Sequence, residues 1–521
     1  MTMTAWIQKA GQLWLPLLLG LFTSPAFSAS EGQTLADQGS AQTPACMSCH
    51  GNLGQGNAAA AFPRLAGLSS AYIEKQLNDI RAGTRQNAIM QPIAKSLSEG
   101  QIKAVADYYA GLQPQATPVT ATTEQLALGR EIAVNGLWSK SVPACTRCHG
   151  AGAQGVGAAF PELAGQHASY IQAQLKAWQQ GMRHNDPVGV MAAVAHQLDE
   201  KQVQAVATYL ASLPARGDIP KTAYPDIAPS QPDTLPGYFQ PGLAKDLPSG
   251  KFGESVRRGA HIFNNTHLDP QASQFVGNGQ DCTNCHLNGG RHANAAPMWA
   301  AWVLYPQYRS KNDKVNTMVD RLQGCFTYSE NAQGSAKGSA PPADSQVLTD
   351  LMSYMYWQAT GAPTGVTMKG RGYPKLPEPP QPFSAKRGEK LFAENCALCH
   401  GRNGEGTQQG KNQYVFPPLW GAHAYNWGAG MHQVNTAAAF IRANMPLGNP
   451  GSLSVQDAWD LAAFVDSRPR PQDPRFKGNL AETVKAFHAN RKMDFYGQTA
   501  DGYQLGAPGT LEKWMKDRAL E

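Results

Sequence analysis

The chain has 521 residues, 42% hydrophobic and 16% charged, which excludes disorder as a description of the whole and leaves room for three or four cores. Its formal charge of +6 by itself suits a polyanion. The nine cysteines redirect that reading, because eight of them fall in four Cys-x-x-Cys-His strings, the spelling of covalent c-type haem attachment. Eight haem propionates bring the net charge near neutrality, so a nucleic-acid partner loses its support.

Residues 1–28 read as a secretory signal peptide, with Lys9 as the positive region, Leu13 to Phe22 as the apolar stretch and Ala26-Phe27-Ser28 as the cleavage site. The apolar stretch is too short to span a bilayer, and nothing later is long enough. The expectation is an exported, periplasmic protein with no membrane span in the mature chain.

The next stretch is a duplication. Cys46-Met47-Ser48-Cys49-His50 and Cys145-Thr146-Arg147-Cys148-His149 are followed by matching strings, Phe62-Pro63-Arg64-Leu65-Ala66-Gly67 and Phe160-Pro161-Glu162-Leu163-Ala164-Gly165. Ile73, Leu77 and Ile80 form an apolar helical face that recurs as Ile171, Leu175 and Trp178. Residues 29–115 and 116–213 are therefore expected to be two cytochrome c domains. A Pro-rich linker, 214–248, is expected to run as an extended tether. Two further domains follow, 249–373 around Cys282-Thr283-Asn284-Cys285-His286 and 384–470 around Cys396-Ala397-Leu398-Cys399-His400, separated by a Pro-rich joint at 374–383. The C-terminal extension, 471–521, carries no haem-ligand signal and is expected to wrap the fourth domain. The fold class that results is all-α, four class I cytochrome c domains in two dihaem pairs.

Each string supplies two thioether cysteines and one axial histidine, so the cofactor expectation is four covalently bound haem c groups with His50, His149, His286 and His400 on iron. In small cytochromes c a methionine well downstream takes the sixth position. Met90, Met191 and Met445 lie 40, 42 and 45 residues beyond their histidines, and Met182 does not fit the repeat. The third string differs: 39 residues after His286 stands Cys325, the ninth cysteine. By spacing it is an axial thiolate; Met298, Met318 and His292 are competing ligands, and an inert buried thiol or an intermolecular bridge also satisfies the sequence. A thiolate lowers the potential of haem iron where a thioether raises it. Arg309, Lys311, Arg321 and Ser329 lie around Cys325 and suit a small oxyanion, or haem propionates.

These residues carry a resemblance. Val276-Gly277-Asn278, Cys285-His286-Leu287-Asn288-Gly289-Gly290-Arg291, Tyr305-Pro306-Gln307-Tyr308-Arg309 and Asp320-Arg321 leading to Cys325 make residues 250–470 similar to the dihaem thiosulfate dehydrogenases, which couple two thiosulfates into tetrathionate. Residues 29–215 resemble the tandem dihaem cytochromes c that accept electrons from such enzymes. The resemblance implies Cys325 as axial ligand and catalytic thiol. It places Arg321 and Ser329 near substrate, with Arg309 or Lys311 as a further anion contact, and electrons leaving through the N-terminal pair to a downstream periplasmic carrier or oxidase. Some relatives carry Lys before the last methionine; here that residue is Asn444, which implies steady Met445 ligation. The direction of reaction stays open, as do a tetrahaem shuttle without a substrate and sulfur transfer to a carrier-protein cysteine.

Overall fold

The computed structural model describes residues 27–115, 117–309 and 312–520; the expected signal peptide lies almost wholly outside the described residues, as does Lys311. Ten helices organise the chain: α1 (Phe27–Gln38), α2 (Glu99–Gly111), α3 (Thr123–Arg130), α4 (Glu200–Ser212), α5 (Gly250–Asn264), α6 (Met318–Tyr328), α7 (Gln346–Gln358), α8 (Ala385–Asn395), α9 (Val434–Asn444) and α10 (Val455–Asp466). Among the described residues regular strand is confined to three antiparallel pairs, including β1 (Gln307–Arg309) with β2 (Lys314–Asn316).

One crossing is made four times, α1 on α2, α3 on α4, α5 on α7 and α8 on α10. Each depends on a glycine of the leading helix. A Cβ added at Gly32, Gly129, Gly259 or Gly388 would stand 2.0–2.1 Å from the carbonyl oxygen of Ala104, Ala205, Asp350 or Asp460, so only hydrogen fits. An aromatic residue one turn on, Tyr108, Tyr209, Tyr354 or Phe464, packs over the same glycine. In the second half Asp350 and Asp460 also clasp the residue before the glycine. Arg258 donates to Asp350 at 2.9 and 3.0 Å, and Arg387 to Asp460 at 2.7 and 2.8 Å.

The duplicated halves meet through equivalent residues, as a pseudo-two-fold interface requires. Arg64, wholly buried, is ion-paired at 2.7 Å with Glu162, its counterpart in the repeat. Arg85 and Arg183 are bridged backbone to backbone and share the side-chain oxygens of Gln76 and Gln174.

Residues 214–248 are largely non-helical, as their prolines dictate, but they are not a free spacer. Asp226 is bound by Arg130 and Asn135, Asp233 accepts from the backbone of Trp138 and Ser139, and Arg291 donates to the carbonyls of Pro241 and Gly242. The chain end packs on residues of the fourth unit: Trp514 with Phe392 and Trp420, and Tyr496 and Leu505 on Trp427. Among the described residues no helix is long and apolar enough to cross a membrane.

Candidate active site

The first, second and fourth Cys-x-x-Cys-His strings fold as one helical turn ending on the histidine, whereas in the third the turn is Cys282–Cys285 and His286 lies just past it. In all four the histidine Nδ1 donates to a backbone carbonyl further on: His50 to Pro63 at 3.1 Å, His149 to Pro161 at 2.8 Å, His286 to Ala296 at 2.7 Å and His400 to Pro417 at 2.9 Å. A carbonyl only accepts, so Nδ1 holds the hydrogen and Nε2 keeps its lone pair, the tautomer that ligates iron. The proline comes from Phe-Pro-x-Leu, and the fourth unit has its own copy, Phe416-Pro417-Pro418-Leu419, which was readable in the sequence beside the first two.

The donor sets fit haem. A cavity of about 730 Å³ is lined by the first, second and fourth strings together with Met90, Met191 and Met445. Arg85 and Arg183 also line it, both buried, and among the described residues their side-chain hydrogen bonds go to neutral oxygens of Gln, Tyr and Asn. A buried guanidinium pair without a carboxylate partner suits propionates. Met182 is 41% exposed and lies off this cavity.

The third unit has its own cavity of about 320 Å³, lined by Cys282, Cys285, His286 and Cys325. Thr317 caps α6 by accepting from the backbone of Asp320 at 3.1 Å, and the helical repeat then sets Arg321, Cys325 and Ser329 on one face at i, i+4 and i+8. All three line the cavity, as does Arg309, which β1 presents and whose guanidinium donates to Tyr305 Oη at 2.6 Å. Cys325 raises Arg321 above its ordinary value, and burial with Arg321 nearby pushes His286 down to about 4. Met298 and Met318 also line the cavity but belong to the apolar core with Val256 and Leu351, whereas His292 lies off it, against Trp138 at 5.1 Å with the rings tilted by 49°.

Two residues escape a reading by spacing. Arg371 lines the same cavity although it lies 46 positions beyond Cys325, because the chain returns after α7. Glu330 is buried, borders Cys282 Sγ at 4.0 Å, and is pushed well above the carboxylate range by burial.

The cavities touch. Tyr425 and Met431 line both. The second unit seats against the third and fourth: Phe160 and Phe416, equivalent in their repeats, are 4.9 Å apart, Arg147 reaches Thr283 at 3.3 Å, and the Ala151 amide donates to Gln409 at 2.7 Å. Trp138 joins Leu287, Phe440 and Met445 in one apolar cluster. Asn444, beside Met445, is buried and donates to the carbonyl of Asn294 at 3.2 Å.

Comparison with known proteins agrees with this arrangement. The cytochrome c family pattern matches residues 29–113, 128–214 and 385–469, so these domains bind haem c covalently. The thiosulfate dehydrogenase of Stutzerimonas stutzeri (strain A1501) is 52% identical over 270 residues, 52% of this chain and 85% of that protein. The thiosulfate dehydrogenase electron acceptor of Thiomonas intermedia (strain K12) is 48% identical over 174 residues, 33% of this chain and 80% of that protein. The solved structure of thiosulfate dehydrogenase (TsdBA) from Marichromatium purpuratum, in its as-isolated form, superposes with a TM-score of 0.82 at 48% identity, covering 92% of this chain and 99% of that one. The chain therefore belongs to the thiosulfate dehydrogenase family, in a fused architecture that joins an acceptor-like dihaem module and a dehydrogenase module in one polypeptide.

Proposed function

We propose that this chain oxidises two thiosulfate ions to tetrathionate in the cavity of the third unit, with Cys325 as the sulfur that carries the first ion. The reading takes four haem c groups, attached through Cys46 and Cys49, Cys145 and Cys148, Cys282 and Cys285, and Cys396 and Cys399. The residues that would hold the irons are His50 and Met90, His149 and Met191, His286 and Cys325, and His400 and Met445. Haem bound at these strings supplies one-electron acceptors. The observation that carries the proposal is one helix face, Arg321, Cys325 and Ser329, lining the same cavity as His286.

Two dianions held together repel by about 1 kcal/mol for each pair of unit charges at 4 Å in water, and by more in a drier site. Arg321, Arg309 and Arg371 offset that repulsion and orient the sulfonate ends, leaving the sulfane sulfur toward Cys325. Ser329 adds a hydroxyl donor. The Cys325 thiolate and the first thiosulfate form a sulfur–sulfur bond with loss of two electrons, giving a cysteinyl thiosulfonate. The second thiosulfate attacks the sulfane sulfur of that adduct, releasing tetrathionate and restoring the thiolate. No proton is consumed or released.

The route out follows contacts between units. Haem at these strings would let electrons leave by those contacts: from the third unit to the fourth where Tyr425 and Met431 line both cavities, to the second where Phe416 meets Phe160, then to the first and a periplasmic carrier or oxidase. The test is Cys325→Gly in an assay with thiosulfate and ferricyanide. Turnover is expected to vanish with four haems still attached; near-normal turnover refutes the catalytic role and leaves an electron shuttle.

A further inference from the structure

The C-terminal segment buries a cluster that the sulfur chemistry does not use. His432 ends the turn Gly430–His432 that leads into α9, His488 follows the helix Leu480–Phe487, and Asp494 lies six residues on; all three are at most 2% exposed. His432 Nε2 and His488 Nδ1 converge on the same carboxylate oxygen, Asp494 Oδ2, at 2.9 and 2.7 Å. The three atoms lie within 4.8 Å of one another.

Hydrogen-bond accounting shows what is missing between them. His432 Nδ1 faces the carbonyl of Ala429, an acceptor only, so it carries the ring hydrogen. His488 Nε2 faces Asp473 Oδ2 at 2.9 Å, a carboxylate already clasped by Arg475, so Nε2 carries the hydrogen there. In neutral rings the remaining nitrogens, His432 Nε2 and His488 Nδ1, then present lone pairs to an anionic oxygen. Three lone pairs meeting at one buried spot repel unless positive charge, a metal ion or protons on the rings, lies between them. The outer partners match those of a metal centre: a carbonyl behind one ring, a carboxylate behind the other, and the Tyr496 amide donating to Asp494 Oδ1 at 2.9 Å. Tyr496 stacks on His488 at 4.0 Å and Trp427 edges onto His432, walling the spot with aromatic rings.

We propose that His432 Nε2, His488 Nδ1 and Asp494 Oδ2 hold a divalent transition-metal ion of the zinc class, supplying three of the four ligands such an ion takes. The site is structural. It ties the chain end to the loop that opens α9, and α9 ends beside Met445, so the ion steadies the frame of the fourth haem site.

The test is elemental analysis of the haem-loaded full chain, produced without a polyhistidine tag in zinc-supplemented medium, with haem iron quantified separately. About one non-haem divalent metal per chain is expected, with nitrogen and oxygen ligands at about 2.0–2.1 Å by X-ray absorption. Asp494→Asn and His432→Gln should each lose the metal while keeping the haems. Absence of non-haem metal from the wild-type chain overturns the proposal without reference to any variant, and means that shared protons, with both rings as imidazolium, hold the cluster together. Metal that persists in both variants also overturns it.

Discussion

The third and fourth units share a frame and differ in one wall. Both cross their helices at a glycine preceded by an arginine, Arg258-Gly259 and Arg387-Gly388, and both clasp that arginine with an aspartate one turn beyond a glutamine, Gln346 with Asp350 and Gln456 with Asp460. Both orient the axial histidine from a backbone carbonyl. Opposite the histidine they part. In the fourth unit the end of α9 brings Met445 into an apolar cluster with Trp138, Leu287 and Phe440. In the third unit that wall is α6, with Cys325 between Arg321 and Ser329, and Arg309 and Arg371 lining the cavity as well. On the proposed reading, a carrier becomes a reaction site by exchange of the distal wall while the glycine crossing and its arginine–aspartate clasp are kept.

The sharpest way to break the comparison is to make the third wall like the fourth. Cys325→Met should give a third haem with methionine ligation, a potential raised by on the order of hundreds of millivolts within the ~0.8 V that axial ligands span, and no thiosulfate oxidation. Redox titration and low-temperature spin resonance read the first, and steady-state assay the second. Turnover close to wild type would show that the wall is not what distinguishes the units.

Next in size is the charge on that wall. Hydrogen bonds to a charged group are worth about 1.5–3 kcal/mol, so Arg321→Gln should lower kcat/KM for thiosulfate by about 10- to 150-fold. Arg309→Gln should cost less, because its guanidinium is already committed to Tyr305. An equal loss in both would mean that α6 has no special place in binding.

Much of this was legible in the sequence, for reasons that differ by residue. The haem strings are local and chemically obligatory, so they read directly. Arg321, Cys325 and Ser329 read as neighbours along the chain, and their four-residue spacing becomes one face once the helix Met318–Tyr328 is seen. Arg371 did not, since its approach depends on where the chain returns after α7. The linker misled, because proline spacing sets backbone extension but says nothing of what the extended chain packs on; Asp226 and Asp233 dock it. The four crossing glycines were visible as letters, yet a glycine shows its purpose only when the opposing carbonyl is placed.

That crossing offers the third prediction. Gly259→Ala places a methyl 2.0 Å from the Asp350 carbonyl, and backbone cannot step aside as a side chain can. The helices must separate, at a cost of about 1–3 kcal/mol as for other overpacked sites, read as a lower calorimetric transition. Gly324→Ala, on α6 with open space beside it, should instead gain about 1 kcal/mol from helix propensity. Destabilisation in both would mean that the helix interior, and not the close approach, sets the need for glycine.

The smallest expected effect concerns the clasp itself. Asp460 is buried and accepts from Arg387 twice, from Gln456 at 3.1 Å and from the Ser384 amide at 2.7 Å. The acceptor half makes the same crossing with alanine at the matching positions, Ala104 and Ala205, so a carboxylate is not needed to bring the helices together. Asp460→Ala removes charge-assisted bonds, but Arg387 is 45% exposed and returns to water, which offsets part of the loss. The net should be about 1–2 kcal/mol, the lower part of the range expected for Gly259→Ala in the sister unit. Calorimetry on both variants ranks them. Should the clasp prove the dearer of the two, the dehydrogenase half would owe its frame to the arginine–aspartate pair, and the likeness between its crossings and those of the acceptor half would be one of shape alone.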